Sequence, residues 1–442
     1  MATMNKRKVP VAGHTHEGAR AMAEGPIPAL QRMLNAHMLW EDTFYVNGED
    51  AGEQLKQAVH RAAKADPDAT CVAILQARLH HNIRHASLLA AVEYAKAGGR
   101  NARVLIHDVI SRADELAEVL VMAGVQPGKP PRVPHAVRKG VRAAFTKFDE
   151  YQFAKYRGEG KAVSLRDAVF ITHPKGELIS KIVEGTLKTP NTWETRMSSG
   201  ESAKSTFEDL LKSNKLGAMA LLRNLRNMVD GSVDPQLVRQ GLNNATWGKV
   251  LPFRFMSAVQ AAPAYAVELD EAFRKAVANS IWLPGRTAVL VDSSASMNHK
   301  LSDKSTVTML QAGAVLGAAI NGDHVDLFEW ASTSKQVPNF RSLSTAMSIR
   351  AGTVGHGTDL GQAMRLVYKT GQYDRIVVIS DMQFRGDGGR YGGIACPALP
   401  KGTVGYTLNV GKYQNPGLVL GDWTHLTGFS TNVLKYMASV EG

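Results

Sequence analysis

The chain has 442 residues, 44% apolar and 21% charged, a globular balance that excludes a wholly disordered chain, a collagen or a disulfide-stapled miniprotein. Its 52 Lys and Arg against 40 Asp and Glu leave a net charge of +12, a surplus that favours a polyanionic partner. Two distant cysteines, Cys71 and Cys396, cannot build a cysteine-rich zinc site and fit a reducing, cytoplasmic compartment; no apolar run of about 18 residues marks a membrane span, and residues 1–16 lack the apolar stretch of a secretory signal.

Short amphipathic helices open the chain. Residues 51–64 carry Leu55, Ala58, Val59 and Ala62 at helical spacing, and Asp66-Pro67 breaks that helix while letting Pro67 open the next. Further helices are predicted over 69–81, 86–97, 101–110, 113–123, 134–156 and 164–172, then over 202–213, 216–230, 235–244, 252–261 and 266–280. A loop with Thr189-Pro190, Ser198, Ser199 and Gly200 interrupts the series. Helices of this length with tight turns suggest an irregular helical-repeat stack. The pair His80-His81 with His85 lacks a carboxylate or thiol at ligand spacing and reads as structural.

The charge surplus has a location. Residues 1–285 hold 38 basic and 29 acidic side chains, against 14 and 11 beyond. Within 129–161 nine cations, among them Arg138, Lys139, Arg142, Lys155, Arg157 and Lys161, face only Asp149, Glu150 and Glu159. Such a run is either a solvated face or an anion-binding surface.

After Pro284-Gly285 the pattern changes to β-branched apolar runs at 287–291, 325–330, 375–380 and 404–410, alternating with helices at 306–320 and 359–368. This predicts a doubly wound parallel sheet, whose ligands bind at the carboxyl ends of its strands. Asp292 and Asp381 each follow a strand. Asp292-Ser293-Ser294-Ala295-Ser296 sets one carboxylate and two hydroxyls in one turn; Thr358 in Gly355-His356-Gly357-Thr358-Asp359 adds a hydroxyl, and Asp381 a second carboxylate. Oxygen donors of this kind suit a divalent cation such as Mg²⁺; an isolated serine-rich turn would be a helix cap. No Gly-x-x-x-x-Gly-Lys-Ser/Thr loop and no cluster of three carboxylates for two-metal chemistry point to an enzyme.

The pentad Asp292, Ser294, Ser296, Thr358 and Asp381 resembles the metal-ion-dependent adhesion site of von Willebrand factor A domains, where the metal is not catalytic and captures a partner carboxylate. The longer run Val291 to Met297, the helix Ala220-Leu221-Leu222-Arg223-Asn224-Leu225, Leu251-Pro252-Phe253, Ala136-Val137-Arg138-Lys139, Lys155-Tyr156-Arg157, Leu165-Arg166-Asp167 and Thr172-His173-Pro174-Lys175 together resemble the TROVE family of Ro ribonucleoproteins. The resemblance spans roughly residues 136–381; the glycine-rich turn Gly386 to Gly393 is outside it.

That resemblance implies a TROVE domain of HEAT-like helical repeats over 1–284, closed into a monomeric ring by an A domain over 285–442. It implies a non-enzymatic RNA-binding protein. Small non-coding RNA of the Y type would bind the outer basic surface, single-stranded ends of misfolded RNA the central hole, and an exoribonuclease could be tethered through RNA. The implied contacts are Arg138, Lys139, Arg142, Lys155, Arg157, Lys161, His173, Arg223 and Arg226. His173 reads equally as a base contact or a cap, and Arg223 as an RNA contact or a packed structural arginine. A metal-dependent protein-binding scaffold is the alternative function.

Overall fold

In a computed structural model, the structure describes residues 11–14, 20–22, 25–36 and 48–427, except 82, 130, 159, 189, 249, 251, 279–281, 302–305, 339–340, 386–395 and 412–422, and beyond 427 only Leu434, Met437 and Glu441. Glu159, Thr189, Leu251 and the turn Gly386 to Gly393 therefore lie outside the described residues. The chain forms two compact units, one of residues 26–34 and 50–209, the other of 1–25, 35–49 and 210–442. No helix is long and apolar enough to cross a membrane among the described residues.

The first unit is helical. Asp66 caps the helix Pro67–Leu79 through the amide of Ala69 at 2.9 Å, with Pro67 in its first turn, as the Asp-Pro pair predicts. The next helix, His85–Lys96, buries every residue from Ala86 to Tyr94. Buried on all sides, with only Ser87 and Glu93 polar in that stretch apart from the Tyr94 hydroxyl, it forms the centre on which its neighbours pack. Glu115, fully buried, receives both Arg78 bonds at 2.7 and 2.8 Å, one from Arg84 at 3.0 Å and the amide of Ser111 at 2.8 Å. Only such complete pairing makes a charge tolerable at that depth.

The predicted helix 134–156 is three pieces: the helix His135–Ala144, a 3-10 turn Phe145–Lys147 and the helix Glu150–Lys155. Asp149 and Gln152 form a reciprocal capping box that starts the last piece afresh. The first piece buries Val137, Gly140, Val141 and Ala144, leaving Arg138, Lys139 and Arg142 outward. A Cβ on Gly140 would lie 2.7 Å from the Arg103 carbonyl oxygen and 2.6 Å from Ile106, so the helix Ala102–Val109 crosses at backbone contact. Gly140→Ala is expected to cost about 1–3 kcal/mol through overpacking, despite the better helix propensity of alanine. A denaturant midpoint at or above wild type would contradict that crossing.

The second unit contains the helices Ala218–Asp230, Pro235–Asn244, Phe253–Ala261 and Ala266–Ala278, together with the sheet. Its strands, in chain order, are a short antiparallel pair β1 (Val11–His14) and β2 (Arg20–Met22), then β3 (Trp282–Asp292), β4 (Asn321–Trp330), β5 (Ser334–Val337), β6 (Arg375–Ser380), β7 (Val404–Asn409) and β8 (Trp423–Thr427). The six later strands form one sheet in the order β5-β4-β3-β6-β7-β8, parallel except for the edge strand β5.

Alternate β3 residues face opposite layers. Ala288 and Leu290 pack with Leu360, Met364 and Val367 of the helix Leu360–Thr370. Val289 and Val291 meet the helix Met309–Ala318 at Gly317, where a Cβ would come within 3.1 Å of Val291. Helices on both faces explain why the strands read as continuous apolar runs, and they make this the expected doubly wound α/β unit. The helical half and the α/β sheet expected from the sequence are both present.

Candidate functional site

The order β4-β3-β6 puts the topological switch point between β3 and β6, where their carboxyl ends leave a crevice. Asp292 ends β3 and Asp381 follows β6, and both are fully buried. Asp292 accepts from the Ser294 amide at 2.8 Å through one carboxylate oxygen and from the Ser380 hydroxyl at 2.6 Å through the other. The Ser294 and Ser296 hydroxyls stand 3.3 Å apart. The loop bearing Thr358 reaches the same crevice, because Ala295 donates to the His356 carbonyl at 3.1 Å. Thr358 donates to the Gln383 carbonyl at 2.9 Å, and the Gln383 amide donates to Asp381 at 3.1 Å. The structure thus brings the whole pentad together.

These residues could hold a cation. Burial and then the neighbouring Asp381 charge push the Asp292 carboxyl up to about 7, against hydrogen bonds that favour its ionised form. Two buried carboxylates that repel each other, flanked by three hydroxyls, match the oxygen donors a hard divalent ion takes. Met382, just after Asp381, sits at φ 64°, a left-handed conformation costly for a side chain, and its amide donates to Ser380 at 2.9 Å. Ser380 therefore orients both the Asp292 carboxylate and the turn that presents Asp381. It precedes Asp381 directly in sequence, but nothing in the pattern marked it.

The basic run forms a second site, in the helical unit. Arg138, Lys139 and Arg142 are exposed, with Arg138 and Arg142 one turn apart. Arg142 also donates to the Thr172 carbonyl, which ties its helix to the end of the helix Leu165–Thr172. His173 follows there at φ 52°, its amide closing the helix on Val169 at 2.8 Å. Its backbone caps while its exposed ring lines a cavity shared with Arg142 and Lys175, so the two readings of His173 are compatible. Lys175 was not singled out from the sequence, although it lies two residues from His173 in the same motif.

The remaining cations of the run are in part tied within the fold. Lys155 lies 4.0 Å from Glu194 and 5.7 Å from the Tyr156 ring centre, while Arg157 donates to the Leu187 carbonyl. Lys147 reaches the carbonyls of His107, at 2.9 Å, and Ile110. Lys161 is exposed. Part of the charge surplus thus serves as internal ties, which spacing alone could not reveal.

Arg223 and Arg226 belong to the other unit, on the helix Ala218–Asp230, whose Leu221, Leu222, Leu225 and Met228 are buried. Both arginines are exposed rather than packed. Arg254 is also exposed, with its guanidinium 5.1 Å from the Phe253 ring centre, where partial burial of the head group and then the nearby Arg223 charge hold it below its ordinary value. Arg254, next to Phe253 in the Pro-Phe motif, was not anticipated as part of this cationic group.

Helical repeats followed by an α/β unit with an oxygen-lined strand-end crevice define the class of protein. The model of the TROVE domain family matches residues 185–349, which include the helix Ala218–Asp230 and β3 with its Asp-x-Ser-x-Ser turn. The chain has the fold of the Ro (RSR) protein of Deinococcus radiodurans, at a TM-score of 0.60 and 18% identity, covering 95% of this chain and 100% of that one. The chain thus carries a match to the TROVE domain over residues 185–349 and shares its fold with that bacterial Ro protein. Proximal thread matrix protein 1 of the mussel byssus aligns over 39% of this chain and 50% of its own at 11% identity, but a TM-score of 0.24 carries no argument.

Proposed function

We propose that the chain is the protein part of a ribonucleoprotein that binds structured small non-coding RNA of the Y type at Arg138, Lys139, Arg142 and His173. Lys155, Arg157 and Lys161 extend this contact, and Arg223 and Arg226, with Arg254, take single-stranded ends of misfolded RNA. The observation that carries the reading is the exposed cationic turn Arg138-Lys139-Arg142, whose Arg142 lines one cavity with His173 and Lys175, in a chain that matches the TROVE domain over residues 185–349. Guanidinium and ammonium groups neutralise phosphates with little sequence preference, while a cavity beside them can hold an exposed base.

The role is RNA quality control or ribonucleoprotein assembly in the cytoplasm, by a monomer that performs no chemistry on the RNA and can tether an exoribonuclease through it. Crosslinking in the native cell, followed by peptide mapping and sequencing of the bound RNA, tests this. Crosslinks are expected at residues 138–175 on structured small RNA; crosslinks confined to the sheet, or none above background, would refute the assignment.

The second reading rests on the buried donor set at the switch point. Asp292, Ser294, Ser296, Thr358 and Asp381 would hold Mg²⁺, as in the A-domain adhesion site they resemble. The bound ion would supply an open position for a partner's carboxylate. Mg²⁺ at about 100 times its Kd is expected to stabilise the fold by about 2.7 kcal/mol. For a unit of this size that raises Tm by about 5–10 °C. Asp292→Asn removes the repulsion with Asp381, so it is expected to leave the metal-free Tm at or above wild type while abolishing the Mg²⁺ shift. A shift that survives in the variant would move the ion elsewhere.

A further inference from the structure

We propose that Arg385 holds the second oxygen of a carboxylate captured at the strand-end crevice, so that this site selects an acidic side chain of a partner protein. The inference rests on the metal reading above and assigns a residue outside the pentad to the ligand.

The fold fixes Arg385 beside the pentad. Phe384 is buried and packs on Trp330 of β4, with ring centres 5.9 Å apart, which pins the turn after Asp381. The Arg385 amide then donates to the Thr358 carbonyl at 3.0 Å, while the Thr358 hydroxyl donates to the Gln383 carbonyl at 2.9 Å. Thr358 and the turn 381–385 therefore form one piece. Ser332 holds the same loop from another side, its hydroxyl accepting from the Gly357 amide at 2.8 Å.

The side chain of Arg385 follows from this frame. A Cβ on Gly357 would lie 2.4 Å from the guanidinium carbon and 2.7 Å from each terminal nitrogen, so the guanidinium stacks its face on Gly357, the residue before Thr358. Its N–H donors lie in the plane of the group and are directed past the loop rather than into it. Five donors in one fork let it keep a bond within the fold and still meet a ligand. Half-buried Arg385 and Ser296, with exposed Ala295 and His356, form the described rim of the crevice. On another side the chain after β7 closes in, since a Cβ on Gly411 would lie 2.7 Å from that of Asp381.

The chemistry selects the occupant. A hard divalent ion takes one oxygen of a carboxylate, and a planar guanidinium matches the other. A nucleic acid is the poorer fit, because a polyanion is held by a field of several cations. Beyond residue 285 the chain has 14 basic against 11 acidic side chains, close to balance and unlike the run 129–161.

The test uses the full chain loaded with Mn²⁺, whose exchanging water at an open position raises the relaxation rate of bulk water protons. Acetate that takes this position lowers the rate. Arg385→Gln is expected to need about 10-fold more acetate than wild type for the same fall, the low end for a charge-assisted bond at a half-buried group. Its Mn²⁺ affinity is expected to equal or exceed that of wild type, because a nearby positive charge is gone. Arg385→Lys keeps the charge without the fork and is expected to recover part of the loss. No effect of acetate on wild type, equal acetate titrations in wild type and Arg385→Gln, or a stronger response to dimethyl phosphate than to acetate would overturn the proposal and leave the metal site standing. No enhancement with Mn²⁺ would instead remove the metal reading, and the proposal with it.

Discussion

Charge reversal of Arg138 and Lys139 together is expected to weaken RNA binding about 10²-fold at 0.1 M salt. Each phosphate contact contributes about 0.9 to the slope of log affinity against log salt, and so about 0.9 log unit at that concentration. Both side chains are exposed on the helix His135–Ala144, whose buried face is formed by Val137, Gly140, Val141 and Ala144, so the fold does not depend on them. Arg142 is the poorer choice, because its bond to the Thr172 carbonyl joins two helices and its loss would mix stability with binding. The decisive reading is the slope itself, which should fall by about 1.8 in Arg138→Glu/Lys139→Glu at unchanged Tm. An unaltered slope would place the RNA on another face.

The second large effect concerns stability at the amino ends of the central strands. Arg375 opens β6 with only 2% of its side chain exposed, and donates to Glu441 at 2.6 Å and by a second bond, to Thr287 at 2.8 Å and to the Pro284 carbonyl at 3.3 Å. Tyr406 of β7 also donates to Glu441, at 2.8 Å. Arg375 is the buried member and Glu441 the more exposed one; removing the partner of a buried charge leaves it without compensation, at a cost of about 3–5 kcal/mol for a pair buried on both sides and less here. Thr287 and Pro284 also keep part of the solvation of Arg375, so Glu441→Ala belongs below that range. A loss of at most about 3 kcal/mol lowers Tm by no more than roughly 6–12 °C, and a drop of less than 2 °C would show the clasp to be dispensable.

Acid should act on the same contact. Burial works against the Glu441 charge, yet hydrogen bonds from Arg375 and Tyr406 hold its carboxyl below the ordinary 4.5. A carboxylate with a depressed folded pKa contributes its stability above the unfolded value and loses it as pH falls through the folded one. The wild-type advantage over Glu441→Ala is thus full near neutrality and shrinks below about pH 4.5.

Much of this architecture is visible in the residues themselves. The central strands β3 and β6 carry runs apolar on both faces because helices cover both, and such runs announce themselves. The edge strand β5, Ser334–Val337, is largely polar, since one side faces water and one neighbour suffices. It carries no such signal, and neither does the short β8.

The strand-end pentad is legible for a similar reason. Three of its members share one turn and the others follow fixed elements, so spacing alone assembles them. Ser380 is not legible, because its role is a hydrogen bond across 88 residues. The basic run shows where charge is concentrated but not how it is used. The carbonyl partners of Arg142, Lys147 and Arg157 lie 30 to 40 residues away, and only folding brings them within reach.

The most direct test of the central claim is fluorescence anisotropy of a labelled hairpin RNA with a single-stranded 3′ tail, titrated with the protein between 50 and 200 mM salt. If Arg138, Lys139, Arg142, Lys155, Arg157 and Lys161 all meet phosphates, log affinity should fall against log salt with a slope of about −4 to −5. A slope near zero, or equal affinity for a neutral polymer across the series, would contradict the account.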